Sequence, residues 1–161
     1  MEVHTVRQDY TSSLQARRLF TALVPERHVV IPKVLPEDFK SMEIVDGDGG
    51  VGTVKRADFT DAISYRYMVH RIDALDMESC YAKYTLFEGD VLRKNHELTS
   101  IAYEIKFEAT PEGSKGYMLS HYYPVPGTEV NTAAVEAAKG RAMNLFKKVE
   151  AYLLANPDVY A

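Results

Sequence analysis

The chain changes its hydrophobic rhythm several times, and each rhythm predicts a kind of element. Residues 2 to 10 alternate polar and apolar positions, the period of a half-buried strand. Beyond them Ala16, Leu19, Phe20, Leu23 and Val24 fall on one helical face, with Ser12 and Ser13 as candidate N-caps and Pro25 as the stop. A second short helical stretch, Arg27 to Ile31, is bracketed by Pro25, Pro32 and Pro36. From Ser41 to Phe107 the period drops to two. Runs at Met42 to Val45, Thr53 to Phe59, Tyr65 to Ile72, Cys80 to Phe87 and Ser100 to Glu108 predict strands at hairpin spacing. Tyr117 to Tyr123 adds another after a turn over Pro111-Glu112-Gly113. Past Pro124, Pro126 and Gly127, residues Val135, Ala138, Ala142, Leu145, Val149 and Tyr152 recur at spacings of three and four. They predict one amphipathic helix of about six turns that ends at Asn156-Pro157.

An antiparallel sheet with one face to cover and a long helix to cover it makes an α+β fold. No repeat, linker or charge block divides the chain, so one domain over residues 1–161 is expected. Apolar residues at 46% and charged residues at 26% are those of a globular chain and exclude a disordered or fibrous one. No apolar run is long enough for a helical membrane span, and the opening MEVHTVRQDY lacks the basic and apolar regions of a secretory leader. The single cysteine, Cys80, can form no intrachain disulfide and supplies no cysteine-based zinc set, which leads us to expect a reducing, intracellular compartment. A net charge of −4 does not suit a surface that neutralises phosphates, so no nucleic-acid partner is expected. Eleven Tyr beside no Trp is the one unusual count. Tyr is favoured in strands, and it also lines half-wet ligand cavities with an apolar ring and a polar tip.

Gly47, Gly49, Gly50 and Gly52 lie in a stretch that satisfies the pattern GxGxxG of dinucleotide folds. The next segment, Thr53 to Phe59, is a strand-like run rather than a helix, so the helix N-terminus that would hold a phosphate is missing. A glycine-rich hairpin is the expectation.

At this loop the sequence resembles a known family. The run from Glu43 to Thr53 is similar to the glycine-rich loop of the pathogenesis-related class 10 proteins of plants, the family that includes the major birch pollen allergen. Arg18-Leu19-Phe20, Pro32-Lys33-Val34, Tyr84 to Gly89 and Val149 to Pro157 fit the same family in order and spacing, end to end. Leu23 to His28 and Tyr81 to Arg93 most resemble its hypericin-associated phenolic oxidative coupling branch. The resemblance implies a helix-grip, START-like fold: a seven-stranded antiparallel sheet around a long C-terminal helix, two short helices in a V, and a large cavity. It also implies a defence-related protein that binds amphipathic molecules such as phytohormones, flavonoids, other phenolics or alkaloid precursors, with abscisic acid bound in the receptor branch. A cytoplasmic location is expected, with the nucleus left open, and a monomer, with dimerisation left open.

With a cavity implied, alternation assigns residues to it. Tyr117, Leu119, His121 and Tyr123 share one face of the last strand, and Ile101, Tyr103, Ile105 and Phe107 one face of its neighbour; both are expected to face the long helix. Lys55, Ala57 and Phe59 form another such set, as do Cys80, Ala82, Tyr84 and Leu86, while Tyr81 and Tyr122 are left outside. The family adds Met68 and His70 as inward residues. Ala138, Arg141 and Leu145 would face them from the helix, Arg27 would stand near the mouth, and the segments Ile31 to Phe39 and Thr60 to Ser64 would gate it. Arg27, Lys55, His70, His121 and Arg141 can orient ligand oxygens, and the apolar set supplies contact area.

Two roles are open. The first is a carrier or reservoir; the alternative is a pocket enzyme that condenses or couples phenolic or alkaloid precursors. The family's norcoclaurine synthases use a Tyr, an acid and a Lys, and those positions fall here on Tyr103, Ile105 and Met118. Oxidative coupling needs a redox group, and no flavin, haem or metal ligand set is legible, so no cofactor is expected. A ribonuclease needs converging acid and base groups, whereas alternation scatters Glu104, Glu108, His121 and Lys55 over different faces.

Overall fold

The period-two runs all become strands in the computed structural model, which describes residues 3–94 and 97–161. The described residues form β1 (His4–Ser12), α1 (Ala16–Leu23), α2 (Arg27–Val34), β2 (Phe39–Asp46), β3 (Val54–Phe59), β4 (Tyr67–Asp76), β5 (Tyr81–Gly89), β6 (Leu98–Thr110), β7 (Gly113–Pro124) and α3 (Thr132–Ala155). Residue 2, the first position of the expected opening strand, lies outside the described residues. The seven strands make one antiparallel sheet in the order β1-β7-β6-β5-β4-β3-β2. The seven-stranded α+β arrangement with three helices is the one the resemblance implied.

Two local expectations are corrected by competing interactions. Ser12 was a candidate cap for α1, but it pairs with Ser114 in the β1·β7 ladder, so the strand claims it. The N-cap is Gln15, whose side chain makes no capping bond. Pro32 was expected to close the second helix, yet α2 runs through it to Val34, and the Leu35 N–H donates to the Ile31 carbonyl at 2.9 Å. Proline removes one donor from the ladder; burial of Val30 and Ile31 against the body of the protein offsets that loss.

The glycine-rich stretch is the turn between β2 and β3, with no helix after it. Gly47, Gly49 and Gly52 adopt φ of 95°, 105° and 91°, the left-handed region that β-carbons disfavour. The Thr53 hydroxyl accepts from the Gly49 N–H at 2.7 Å, which closes the turn on itself.

α3 divides into two halves with different tasks. Asn131 caps it by accepting from the Ala134 N–H at 3.1 Å. Its second half buries Phe146, Val149 and Leu153 against α1 and the sheet, in one cluster with Leu19, Phe20, Ala82 and Phe107. Phe146 stacks on Tyr10 at 4.4 Å between ring centroids, and burial of such a ring stabilises the fold by roughly 2–3 kcal/mol. Gly116, opposite both Tyr10 and Phe107, makes room for these rings: a β-carbon there would lie 2.5 Å from Phe107 Cδ1 and 2.4 Å from the Lys106 carbonyl oxygen. At the far end the Arg18 guanidinium donates to the carbonyls of Leu153, Asn156 and Val159 at 2.7, 2.6 and 2.7 Å. The Leu153 carbonyl belongs to the last turn of α3, at the negative end of its dipole, and Asn156 and Val159 lie in the segment that follows the helix.

Candidate functional site

The first half of α3 borders the space above the sheet with small residues, Ala134, Ala138 and Ala142 half-buried and Ala137 and Gly140 exposed at its edge. Side chains this short do not reach across, and a cavity of about 660 Å³ is left between helix and sheet. That is within the range of small-molecule sites. Arg141 and Asn144 of α3 are exposed and Asp38 and Ile63 half-buried, so the cavity meets solvent on this side. Here the Arg141 guanidinium lies 5.7 Å from the centre of the Tyr65 ring. The two segments expected to flank the mouth are tied together: the Thr60 N–H donates to the Asp38 carbonyl at 2.9 Å, and the Thr60 hydroxyl to the Glu37 carbonyl.

Of the residues expected around a cavity, Arg27, Phe39, Phe59, Met68, His70, Tyr84, Tyr103, Ile105, Ala138, Arg141 and Leu145 line it. Ile31, Lys55, Tyr117, Leu119 and His121 do not; of the other residues on the predicted faces, Tyr123 is absent from the lining, and Ala57, Cys80, Ala82 and Phe107 are packed into the core instead. Ile31 is fully buried beneath α2, in a cluster with Leu35, Phe39, Met42 and Ala57. Lys55 is 1% exposed and donates to the Val24 and Pro25 carbonyls at 3.1 and 3.0 Å, so its ammonium anchors the end of α1. Tyr117, Leu119 and His121 point to the opposite face of the sheet.

The β7 correction has one cause. A three-residue turn at Pro111-Glu112-Gly113 would set Ile105 opposite Leu119 and Tyr103 opposite His121. The structure instead pairs Thr110 with Gly113 around a two-residue turn, which sets Ile105 opposite Met118, Tyr103 opposite Ser120 and Ile101 opposite Tyr122. Cross-strand partners share a face, and a slip of one residue exchanges the two faces of a strand. Met118, Ser120 and Tyr122 are therefore cavity residues that alternation alone assigned outward, and β1 adds Val6, Gln8 and Tyr10. The readable signal was hairpin loop length, since β1 then tracks β7 through the pairs Val6 with Ser120 and Gln8 with Met118.

On the outer face the displaced residues build a polar chain across four strands. Thr5 Oγ1 lies 2.9 Å from His121 Nδ1, and His121 Nε2 lies 2.6 Å from a Glu104 carboxylate oxygen. The Tyr81 hydroxyl donates to the other oxygen of Glu104 at 2.8 Å. Hydrogen bonds from Tyr81 and His121 hold the Glu104 carboxyl below its ordinary value. Tyr117 lies under the Arg7 guanidinium, 4.4 Å from its ring centre.

Most of the lining is apolar; one polar group is formed by Arg27, His70, Tyr84 and Tyr103, and others stand at the mouth, where Asp38, Arg141 and Asn144 lie. Tyr84 stacks on Tyr103 at 5.0 Å, and the His70 ring lies 5.5 Å from Tyr84. Arg27 lies 5.8 Å above the Tyr84 ring. Burial, reinforced by the charges of Arg27 and Lys55, pushes the His70 imidazole down to about 3, so it stays neutral at physiological pH. Burial, with Arg27 beside it, pushes the Lys55 ammonium down to about 8. Burial raises the Tyr103 hydroxyl well above its ordinary value, with Tyr122 and Tyr84 adding to the effect. The outcome is a water-poor, electropositive end with phenolic hydroxyls and neutral imidazole available for hydrogen bonds, opening into an apolar chamber. Among the described residues no group of His, Cys, Asp and Glu side chains is placed to hold a metal ion.

Known proteins share both sequence and architecture with this chain. The major allergen Pru ar 1 of Prunus armeniaca is 43% identical over 161 residues, which cover 99% of each chain. The crystal structure of Ara h 8.0201 matches with a TM-score of 0.85 at 30% identity, over 96% of this chain and 100% of that one. A norcoclaurine synthase from Thalictrum flavum, solved in complex with dopamine and hydroxybenzaldehyde, matches at TM-score 0.70 and 20% identity over 96% of this chain and 88% of that one, a likeness of fold. The model of the Pathogenesis-related protein Bet v 1 family matches residues 1–156, and the chain belongs to that family.

Proposed function

We propose that the protein is an intracellular carrier or reservoir for amphipathic plant metabolites, which it takes into the cavity beneath α3. Phytohormones, flavonoids and other phenolics are molecules of this kind; the single cysteine supports a cytoplasmic setting. The carrying observation is the chamber of about 660 Å³, lined mostly by apolar side chains with a few polar ones among them. An apolar ring buried there contributes about 25 cal/mol per Å² removed from water, while the Tyr hydroxyls and Arg27 set orientation.

A carrier is preferred to a condensing enzyme because the positions at which the resemblance places an acid and a lysine hold Ile105 and Met118. They are cross-strand neighbours facing the cavity, and neither side chain can move a proton. The test is uptake of the uncharged dye N-phenyl-1-naphthylamine and its displacement by the flavonoid quercetin. Saturable binding at micromolar protein and competitive release are expected; no dye uptake by the folded protein refutes the carrier role.

A further inference from the structure

The cavity wall carries an imbalance of charge. Its basic residues are Arg27, Lys139 and Arg141, and its only carboxylate among the described residues is Asp38, which stands at the mouth. Arg27 stands over Tyr84, beside Lys55 and His70, and no ion pair within 4.0 Å joins it to a described acidic residue. Its Nε–H is buried with no acceptor. Its one hydrogen bond among the described residues is a long one, from Nη1 to the Leu23 carbonyl at 3.4 Å.

A guanidinium keeps its charge at any physiological pH and offers five donors in a planar fork. Arg27 is half-buried, and the donor it withdraws from water, Nε–H, has no acceptor among the described residues, which is costly. Lys55 does nothing to relieve it, being a second cation with its own donors committed to Val24 and Pro25. The stacked Tyr84 and Tyr103 rings beside the guanidinium offer a flat aromatic wall next to the charge.

Building on the carrier reading above, we propose that the cavity is selective for aromatic or polycyclic molecules bearing an anionic oxygen group, such as a carboxylate or an acidic phenol, and that Arg27 is the residue that seats this group. The anion completes the coordination of Arg27 that the fold leaves open, and the apolar body of the ligand lies along Tyr84, Tyr103, Ile105 and Leu145. Uncharged molecules of the same shape gain the apolar contact and leave the guanidinium uncompensated. Cationic ones meet repulsion as well.

The experiment uses two dyes with one aromatic skeleton. 8-Anilinonaphthalene-1-sulfonate is N-phenyl-1-naphthylamine with a sulfonate added, so the pair isolates the anion. Fluorescence titrations of both are run on the wild type, Arg27→Leu and Arg27→Gln. The expected result is a loss of tenfold or more in affinity for the sulfonate in both variants, with affinity for the uncharged dye held within about twofold, which also shows that the cavity of each variant is intact. Equal changes for the two dyes, or an unchanged sulfonate affinity, overturn the anion site while leaving the carrier role standing. Failure of the wild type to bind either dye overturns the carrier role and this proposal with it.

Discussion

Acid should destabilise this protein partly through one residue. His70 is 4% exposed, faces Arg27 and Lys55 and packs on Tyr84, and its imidazole is pushed from 6.5 down to about 3. Because the folded value is depressed, the unfolded chain binds the proton first, and stability falls as pH drops below 6.5. At pH 4 the unfolded imidazole is almost fully protonated and the folded one still mostly neutral. The gap of 2.5 between pH 4 and the unfolded value of 6.5, at roughly 1.4 kcal/mol per pH unit, gives a loss of about 3 kcal/mol relative to pH 7. The perturbation is His70→Gln, which removes the titration. Urea unfolding of both proteins at pH 7 and pH 4 isolates the effect, since carboxylates common to the two cancel in the difference of differences, as does any loss of packing in the variant. The wild type should lose about 3 kcal/mol more than the variant over this interval. Parallel losses would show that His70 takes up its proton in the folded state near the ordinary value, and the description of a dry, electropositive cavity end would be wrong.

Other consequences rest on single contacts. Arg18→Leu removes three hydrogen bonds that tie α1 to the last turn of α3 and the segment after it, so chemical denaturation should show a loss of about 3 kcal/mol; a change under about 0.5 kcal/mol contradicts the anchoring role. Gly116→Ala places a methyl 2.4 Å from the Lys106 carbonyl and 2.5 Å from Phe107, and the unfolding midpoint should fall by several degrees, whereas an unchanged midpoint refutes the close approach. The Glu104 carboxyl is held below its ordinary 4.5 by Tyr81 and His121, so its contribution is present above that pH and lost as pH falls through the lower folded value. Glu104→Gln should flatten the dependence of the urea midpoint on pH between 5 and 3, and a wild-type slope in the variant would show that the polar chain contributes no stability.

Much of this architecture is legible in the sequence because two periods carry it. Strands β3 to β6 present the predicted faces, and the helical stripe from Val135 to Val149 marks α3. The faces failed on β7, where the choice between a two-residue and a three-residue turn decides whether Met118 or Leu119 looks inward, and composition is neutral between them. Alternation also cannot distinguish a cavity wall from a packed core. Lys55 shares a face with Phe59 and reads as a ligand contact, but the Val24 and Pro25 carbonyls after α1 are nearer partners for its ammonium. Ile31, expected at the start of a segment gating the mouth, is an apolar residue of α2 that the fold uses for packing. Phe146 and Leu153 escaped the predicted stripe because α3 buries a wider arc where it meets both α1 and the sheet.

The central claim is that small amphipathic molecules enter the space between α3 and the sheet rather than adhere to exposed apolar side chains. The direct measurement is an isotope-filtered NOE spectrum of the labelled protein with unlabelled N-phenyl-1-naphthylamine. Entry predicts contacts from the dye's ring protons to the methyls of Ile105, Met118 and Leu145, all of which line the cavity. Contacts confined to Val29, Val45 and Leu154, which are exposed on the surface, would contradict it.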